Sequence, residues 1–296
     1  MTTIKPGVYP GKKDTIYRAW EAANKSTIFH CLRSPAHCMT SMIKPNEPTA
    51  AMQFGTAFHT ISLEFQKFDR GYVKAPELDR RTKVGKQAWS DFQDLHEGKT
   101  LLSASDYDDL LAMRGSLLDH PIASKLLKAR GKAELSYVWE SRYAGSKGVL
   151  CKARADRVTT YEGDPVIIDL KSCVDASPPE FVRSVAKYGY DMQASFYSEG
   201  LTVLDPKDRP YRFIFVAVEK TAPFAVSVCE LDEDSMEEGR AKAERAMALY
   251  AEATKTRKWA GYSPQITRLR PRCGRGLNRG IPTFSNNKEH GRWQQG

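Results

Sequence analysis

Two apolar periods occur along this chain, and the change from one to the other divides it. Residues 51–66 read A-M-Q-F-G-T-A-F-H-T-I-S-L-E-F-Q, with Phe54, Phe58, Ile61 and Phe65 at helical spacing. That spacing predicts an amphipathic helix with one apolar stripe. Ahead of it, residues 1–50 keep no period and carry prolines at 6, 10, 35, 45 and 48. Short helices fit between these prolines, one of them over residues 16–24. Behind it, residues 71–100 hold the basic run E-L-D-R-R-T-K-V-G-K, then a short helix around Trp89 and Phe92. Ser105 begins an S-x-x-D pattern that opens another helix, which Pro121 interrupts.

From residue 135 the period drops to two. Leu135, Tyr137 and Trp139 share one face of a strand over residues 135–142. A-G-S-K-G turns the chain, residues 148–160 form a second strand, Y-E-G-D-P turns it again, and residues 166–172 form a third. Ser177, Pro178 and Glu180 make a capping-box start for a helix reaching residue 204. Strands over residues 211–219 and 224–230 follow, joined at T-A-P, and a charged helix over residues 235–259 ends the regular part. Helix, three antiparallel strands, helix, two strands and helix predict an α/β (α+β) fold with helices on the faces of a central mixed sheet.

Charge changes the picture modestly. The 296 residues carry 45 Lys and Arg against 36 Asp and Glu, a net charge of +9. Such an excess favours a polyanionic partner, nucleic acid before an anionic membrane surface. No apolar run reaches the length of a membrane span, and the first residues lack a signal-like apolar stretch. A cytoplasmic protein with no membrane partner is the expectation. Six cysteines without a C-x-x-C pair argue against a zinc ribbon or a redox pair and for free, packing thiols.

The candidate chemistry lies in V-I-I-D-L-K-S, residues 166–172. Strand alternation puts Val166, Ile168 and Leu170 on one face and Ile167, Asp169 and Lys171 on the other. In the preceding strand, C-K-A-R-A-D-R-V, Lys152, Arg154 and Asp156 share a face opposite Cys151, Ala153 and Ala155. A short turn makes the strands hairpin neighbours, so Asp156 and Asp169 can converge. Two close carboxylates repel unless a cation lies between them, and oxygen ligands suit Mg²⁺ or Mn²⁺. Such an ion activates water for attack on a phosphate, with Lys171 neutralising developing charge. A plain surface salt bridge is the competing reading of D-x-K.

Two further features bear on that choice. On the predicted first helix His59 lies far round from the apolar stripe, on a side with Gly55 and Ser62, and Glu64 can face the same cleft. In Y-D-M-Q-A-S-F-Y, Gln193 and Tyr197 are one helical turn apart, placed either to meet water and phosphate or simply to pack.

The ordered set G-x-x-x-H, D, D-x-K and Q-x-x-x-Y resembles the PD-(D/E)xK nuclease superfamily, nearest its RecB-like branch with the RecE exonuclease and the phage exonucleases. R-S-P-A-H and D-R-R-T-K-V-G-K-Q-A-W are similar to segments of the phage enzymes, and the likeness spans roughly residues 15–267. It implies a restriction-endonuclease-like core over residues 51–267, an added N-terminal helical segment over 1–50 packed on it, and a basic tail over 268–296. It also implies His59, Asp156, Asp169 and the Leu170 carbonyl as metal ligands, with Lys171 catalytic. Gln193 and Tyr197 would support them, and Glu64 would be an acidic residue of the first helix. Apart from the resemblance, the charge run Arg80, Arg81, Lys83 and Lys86 is expected to track the DNA backbone, with a solvated loop as the alternative, and Lys152 and Arg154 are expected to contact DNA as well. The implied protein is a Mg²⁺-dependent exonuclease, with Mn²⁺ as a possible substitute, acting on duplex ends from the 5′ side in phage or bacterial recombination. It would work in the bacterial host cytoplasm as a trimeric or tetrameric ring, beside a single-strand annealing protein. An endonuclease on the same core, or a noncatalytic DNA-binding module, are the alternatives. Iron–sulfur relatives use cysteines near the C-terminus; only Cys273 lies there, so no cluster is expected.

Overall fold

The period-two half of the chain builds the sheet. In the computed structural model, which describes residues 4–43 and 49–268, the strands are β1 (Gly7–Tyr9), β2 (Tyr72–Lys74), β3 (Thr100–Leu102), β4 (Gly131–Glu140), β5 (Leu150–Tyr161), β6 (Asp164–Cys173), β7 (Arg212–Glu219) and β8 (Val226–Glu230). The helices are α1 (Asp14–Ala19), α2 (Lys25–Phe29), α3 (Pro35–Ile43), α4 (Ala50–Leu63), α5 (Phe65–Gly71), α6 (Lys83–Leu95), α7 (Ala104–Asp119), α8 (Pro121–Lys128), α9 (Pro178–Tyr188), α10 (Tyr190–Leu204) and α11 (Glu233–Thr256). Six strands pair in the order β1-β4-β5-β6-β7-β8. β6 and β7 run parallel and the other neighbours antiparallel, so the sheet is mixed. β2 and β3 form a separate parallel pair, with α6 between them in the chain. This is a restriction-endonuclease-like α/β architecture.

Each sheet face buries its own core. On one side Ala153, Ala155, Ile167 and Phe215 cluster with Met192 and Phe196 of α10 and Ala243 and Met247 of α11. On the other, Val166, Ile168, Leu170 and Val216 cluster with Phe58 and Ile61 of α4, Leu110 of α7 and Leu126 of α8. Alternation along β6 thus sends Val166, Ile168 and Leu170 toward α4 and leaves Asp169 and Lys171 on the α10 side. The small residues Cys151, Ala153 and Ala155 admit the α10–α11 layer closely, as their sizes suggest.

Several boundaries differ from expectation. Residues 51–66 are not one helix: the chain bends at Glu64 (φ −138°, ψ 56°), which closes α4 and precedes α5. The helix expected from 177 to 204 breaks at Gly189, left-handed at φ +64°. A Cβ there would stand 2.4 Å from the Phe29 ring, so the corner requires glycine. Ser177 makes no side-chain cap bond. Ser103, not Ser105, caps α7, accepting from the Asp106 N–H at 3.0 Å. Where a helix was expected over 16–24, α1 ends at Ala19 and Asn24 caps α2. Strands β1, β2 and β3, three residues each, are too short for periodicity to show.

Among the described residues no helix is long and apolar enough to cross a membrane. Residues 262–268 form no helix or strand. The expected tail, from residue 269 onward, lies outside the described residues, as does Cys273.

Candidate active site

The sheet forks where the two aspartates stand. β5 stays paired with β4, and β6 with β7, along their lengths. Between β5 and β6, however, registered pairing runs from Tyr161↔Asp164 only as far as Arg157↔Ile168. Asp156 and Asp169 are the next residues on each strand. In the fork the Leu170 N–H lacks a strand partner and donates instead to Asp156 Oδ2 at 2.7 Å. A buried N–H must find an acceptor, and this one fixes the carboxylate. The Leu170 side chain belongs to the α4-side core.

Asp156 also meets His59 of α4, with Nδ1 to Oδ1 at 3.3 Å. Glu134 completes the group: ligand atoms of His59, Glu134 and Asp156 all lie within 4.8 Å of one another. Glu134 sits across from Asp156, between the pairs Ala133↔Arg157 and Leu135↔Ala155. Its backbone is left-handed, φ +48°, in mid-strand. For a residue with a Cβ that conformation costs energy and is commonly kept where function needs it. The sequence reading missed Glu134 because it began the strand one residue later. The signal was the alternation: Leu135, Tyr137 and Trp139 share one face, which puts Glu134 on the other, as alternation puts Asp156 opposite Ala155 on the neighbouring strand.

Asp169 is 3 % exposed. Its Oδ1 accepts from Gln193 Nε2 at 2.5 Å, and its Oδ2 lies 2.5 Å from Lys171 Nζ. That Oδ2 nevertheless accepts no hydrogen bond of good geometry. Lys171 Nζ also donates to Gln193 Oε1 at 3.3 Å. Gln193 thus ties carboxylate and ammonium together from the first turns of α10. The plain surface salt bridge does not describe this pair, because Asp169 is buried and the Lys171 side chain is only 17 % exposed.

The fields follow from the packing. Burial works to raise Asp156, but the charge and hydrogen bond of His59, then Lys171 and the Leu170 N–H, hold it low. Burial raises Asp169 despite the pull of Lys171. Burial opposes the Lys171 ammonium, yet Asp169, with Tyr190 and Asp156, keeps its pKa raised. Burial pulls His59 down, and Asp156 outweighs that, leaving it at about 8. Burial and the Asp156 charge push Glu134 up to about 7.

These donors fit a hard divalent cation. They are two carboxylates and an imidazole within 4.8 Å of one another. Without metal, the stability from Glu134 is full below its unfolded pKa of 4.5 and lost as pH rises through about 7. That from His59 is full below 6.5 and lost as pH rises through about 8. A bound cation favours the deprotonated ligands. The gain in Tm on adding Mg²⁺ should therefore grow by a few degrees between about pH 6 and pH 8.5. Glu134→Gln should remove the Glu134 share of that growth and leave the share of His59; an unchanged pH dependence in the variant would take Glu134 out of the ligand set.

The other expected residues sit differently. Glu64 pairs with Lys67, Oε1 to Nζ 2.5 Å, and reaches the site through its charge, which helps raise Glu134. Tyr197 packs: its ring is edge-on to Tyr137 and Phe213, and its carbonyl accepts from the Tyr137 hydroxyl at 3.0 Å. Lys152, expected on DNA, is 5 % exposed and donates to the carbonyls of Tyr17, Arg18 and Trp20 at 3.0, 3.1 and 2.7 Å. Arg154 bonds Ser136, Asp14 and the carbonyls of Lys12 and Lys13. Both cations clamp the N-terminal segment onto the sheet, a role that alternation alone could not distinguish from phosphate binding. Arg81 pairs with Asp79, and Arg80 lies 4.3 Å over the Trp89 ring. Lys83 and Lys86 are exposed on α6. A wider cleft of about 820 Å³ between α10, α11 and the β7–β8 side is lined by none of the fork residues. The chemistry, not cleft size, marks the site.

The model of a PDDEXK-like domain of unknown function (DUF3799) matches residues 25–271. No curated protein matches the chain. The solved structure named "Putative exonuclease" from Eubacterium rectale is similar at a TM-score of 0.54 and 12% identity, covering 78% of this chain and 82% of that one. Identity that low shows the fold alone. A phage related exonuclease from Haemophilus somnus 129PT covers 68% of this chain and 95% of its own at 12% identity, with a TM-score of 0.29. A TM-score that low adds nothing to the fold assignment.

Proposed function

The chain belongs to the PDDEXK-like family, within the PD-(D/E)xK nuclease superfamily, and from that membership we propose that it is a divalent-metal-dependent deoxyribonuclease trimming duplex DNA from its ends. The observation that carries this reading is the fork, which sets the His59, Glu134 and Asp156 donors beside the enclosed Asp169–Lys171–Gln193 network. A divalent ion held by His59, Glu134, Asp156 and Asp169 would polarise a phosphate oxygen and make water nucleophilic at neutral pH. The chain's own residues do the rest. Asp156, pinned by the Leu170 N–H and His59, presents a preorganised carboxylate. Lys171, held charged by Asp169, stands to meet the charge that builds on the phosphate in the transition state. Gln193 keeps the two aligned, and burial of Asp169 excludes water that would screen the pair.

The net charge of +9 supports a polyanionic substrate. Mg²⁺ as the working ion, 5′-to-3′ polarity, a ring of subunits and an annealing partner rest on resemblance to the RecB-like exonucleases. The deciding experiment compares end-labelled linear duplex with covalently closed circles, with and without Mg²⁺. Steady shortening of the linear duplex, with the circle intact, is the expected result. Nicking of closed circles as fast as linear DNA is trimmed would replace the exonuclease with an endonuclease on the same core.

A further inference from the structure

A cleft of about 460 Å³ opens from the fork, with Lys171 in its wall. Ser172, Phe181, Ser184, Tyr188, Tyr190 and Lys220 are among its walls. A row of rings leads outward from the site. Lys171 Nζ is 4.5 Å from the centre of the Tyr190 ring. Tyr190 is 5.6 Å from Tyr188 at 31°, and Lys187 Nζ is 5.1 Å over Tyr188. Phe181, 3 % exposed, backs Tyr190 at 6.1 Å.

The row is built by one tight corner. Tyr188 ends α9 and Tyr190 begins α10, with left-handed Gly189 between them. Lys25 of α2 holds the corner, donating to the Tyr188 carbonyl at 2.5 Å and lying 4.6 Å over the Phe29 ring. The corner is thus tied down at its backbone, while Tyr188 as a residue stays 47 % exposed. An aromatic ring fixed this way and left open contributes little to the core and much to a surface that takes a flat ligand.

Resting on the nuclease reading, we propose that this cleft is the subsite for the nucleoside on the Lys171 side of the scissile phosphate. The base stacks on Tyr188 and Tyr190, and Lys220 meets the next phosphate. Stacking on tyrosine faces suits an enzyme that must accept every base in turn, because each base has a π-face. Lys171 and Lys220 in the walls offer cations to a phosphate, beside the carboxylates of Asp175 and of Glu180, the latter paired with Arg183.

The test uses duplexes with 2-aminopurine at a single terminal position, one set labelled on each strand end, bound in Ca²⁺ without turnover. With the wild-type protein, stacking should quench one of these labels. Tyr188→Ala should lose that quenching and weaken binding about 10-fold; Tyr188→Phe should restore both. In Mg²⁺, wild type should slow at an abasic terminal nucleotide and Tyr188→Ala should not distinguish it from an intact one. Cleavage by wild type with no label quenched, or quenching unaltered in Tyr188→Ala, would overturn the subsite and leave the nuclease reading standing. Failure of wild type to cut any DNA in Mg²⁺ or Mn²⁺ would overturn both.

Discussion

Asp169→Asn should abolish cleavage, by on the order of 10³-fold or more, while DNA binding and fold persist. The side chain keeps its shape, and the amide oxygen can still accept from Gln193 Nε2. What is lost is the charge, and with it the proposed cation ligand and the partner of Lys171. Lys171 retains Gln193 Oε1 as an acceptor, and its side chain is 17 % exposed, so the freed ammonium can reach water. Binding is measured by duplex retardation in Ca²⁺, cleavage by end-label release in Mg²⁺. Near wild-type cutting would remove Asp169 from the site, and loss of binding together with cutting would make its role structural.

Lys171→Ala should cut turnover by on the order of 10²- to 10⁴-fold while changing metal affinity less than about tenfold. The asymmetry follows from geometry. Lys171 is a partner of the Asp169 carboxylate and not a ligand itself, so a cation can take over its place beside Oδ2. Without metal the variant leaves a buried carboxylate uncompensated, which costs about 3 kcal/mol. Its metal-free melting temperature should therefore fall, and Mg²⁺ should recover most of the loss. Equal losses of metal affinity and turnover would show that Lys171 only holds Asp169 in place.

The reach of the sequence is clearest strand by strand. Alternation in β4, β5 and β6 was legible because each strand is long and has an apolar core on at least one face. From it came the mixed sheet and the shared face of Asp169 and Lys171; the helical period of α4 gave the turn of His59 away from the Phe54, Phe58 and Ile61 stripe. Three-residue strands escaped, since three residues cannot display a period. The breaks at Glu64 and Gly189 escaped too, because they are set by what the helices meet: at Gly189, the Phe29 ring from far earlier in the chain.

The site shows the same division. Residue type and order along the chain determined that a carboxylate–lysine pair, a histidine and a glutamine would be available. Only the tertiary structure decided which strands part company, so that Asp156 bonds the Leu170 N–H and not a strand neighbour. Only it brought Glu134 in through a left-handed backbone that local preference disfavours. And only it assigned Lys152 and Arg154 to the carbonyls of residues 12–20 and not to phosphates. A cation's partner is whatever acceptor the fold delivers to it, and such acceptors here lie more than a hundred residues away along the chain. Local pattern reports which face a side chain is on; long-range packing alone decides what stands opposite that face.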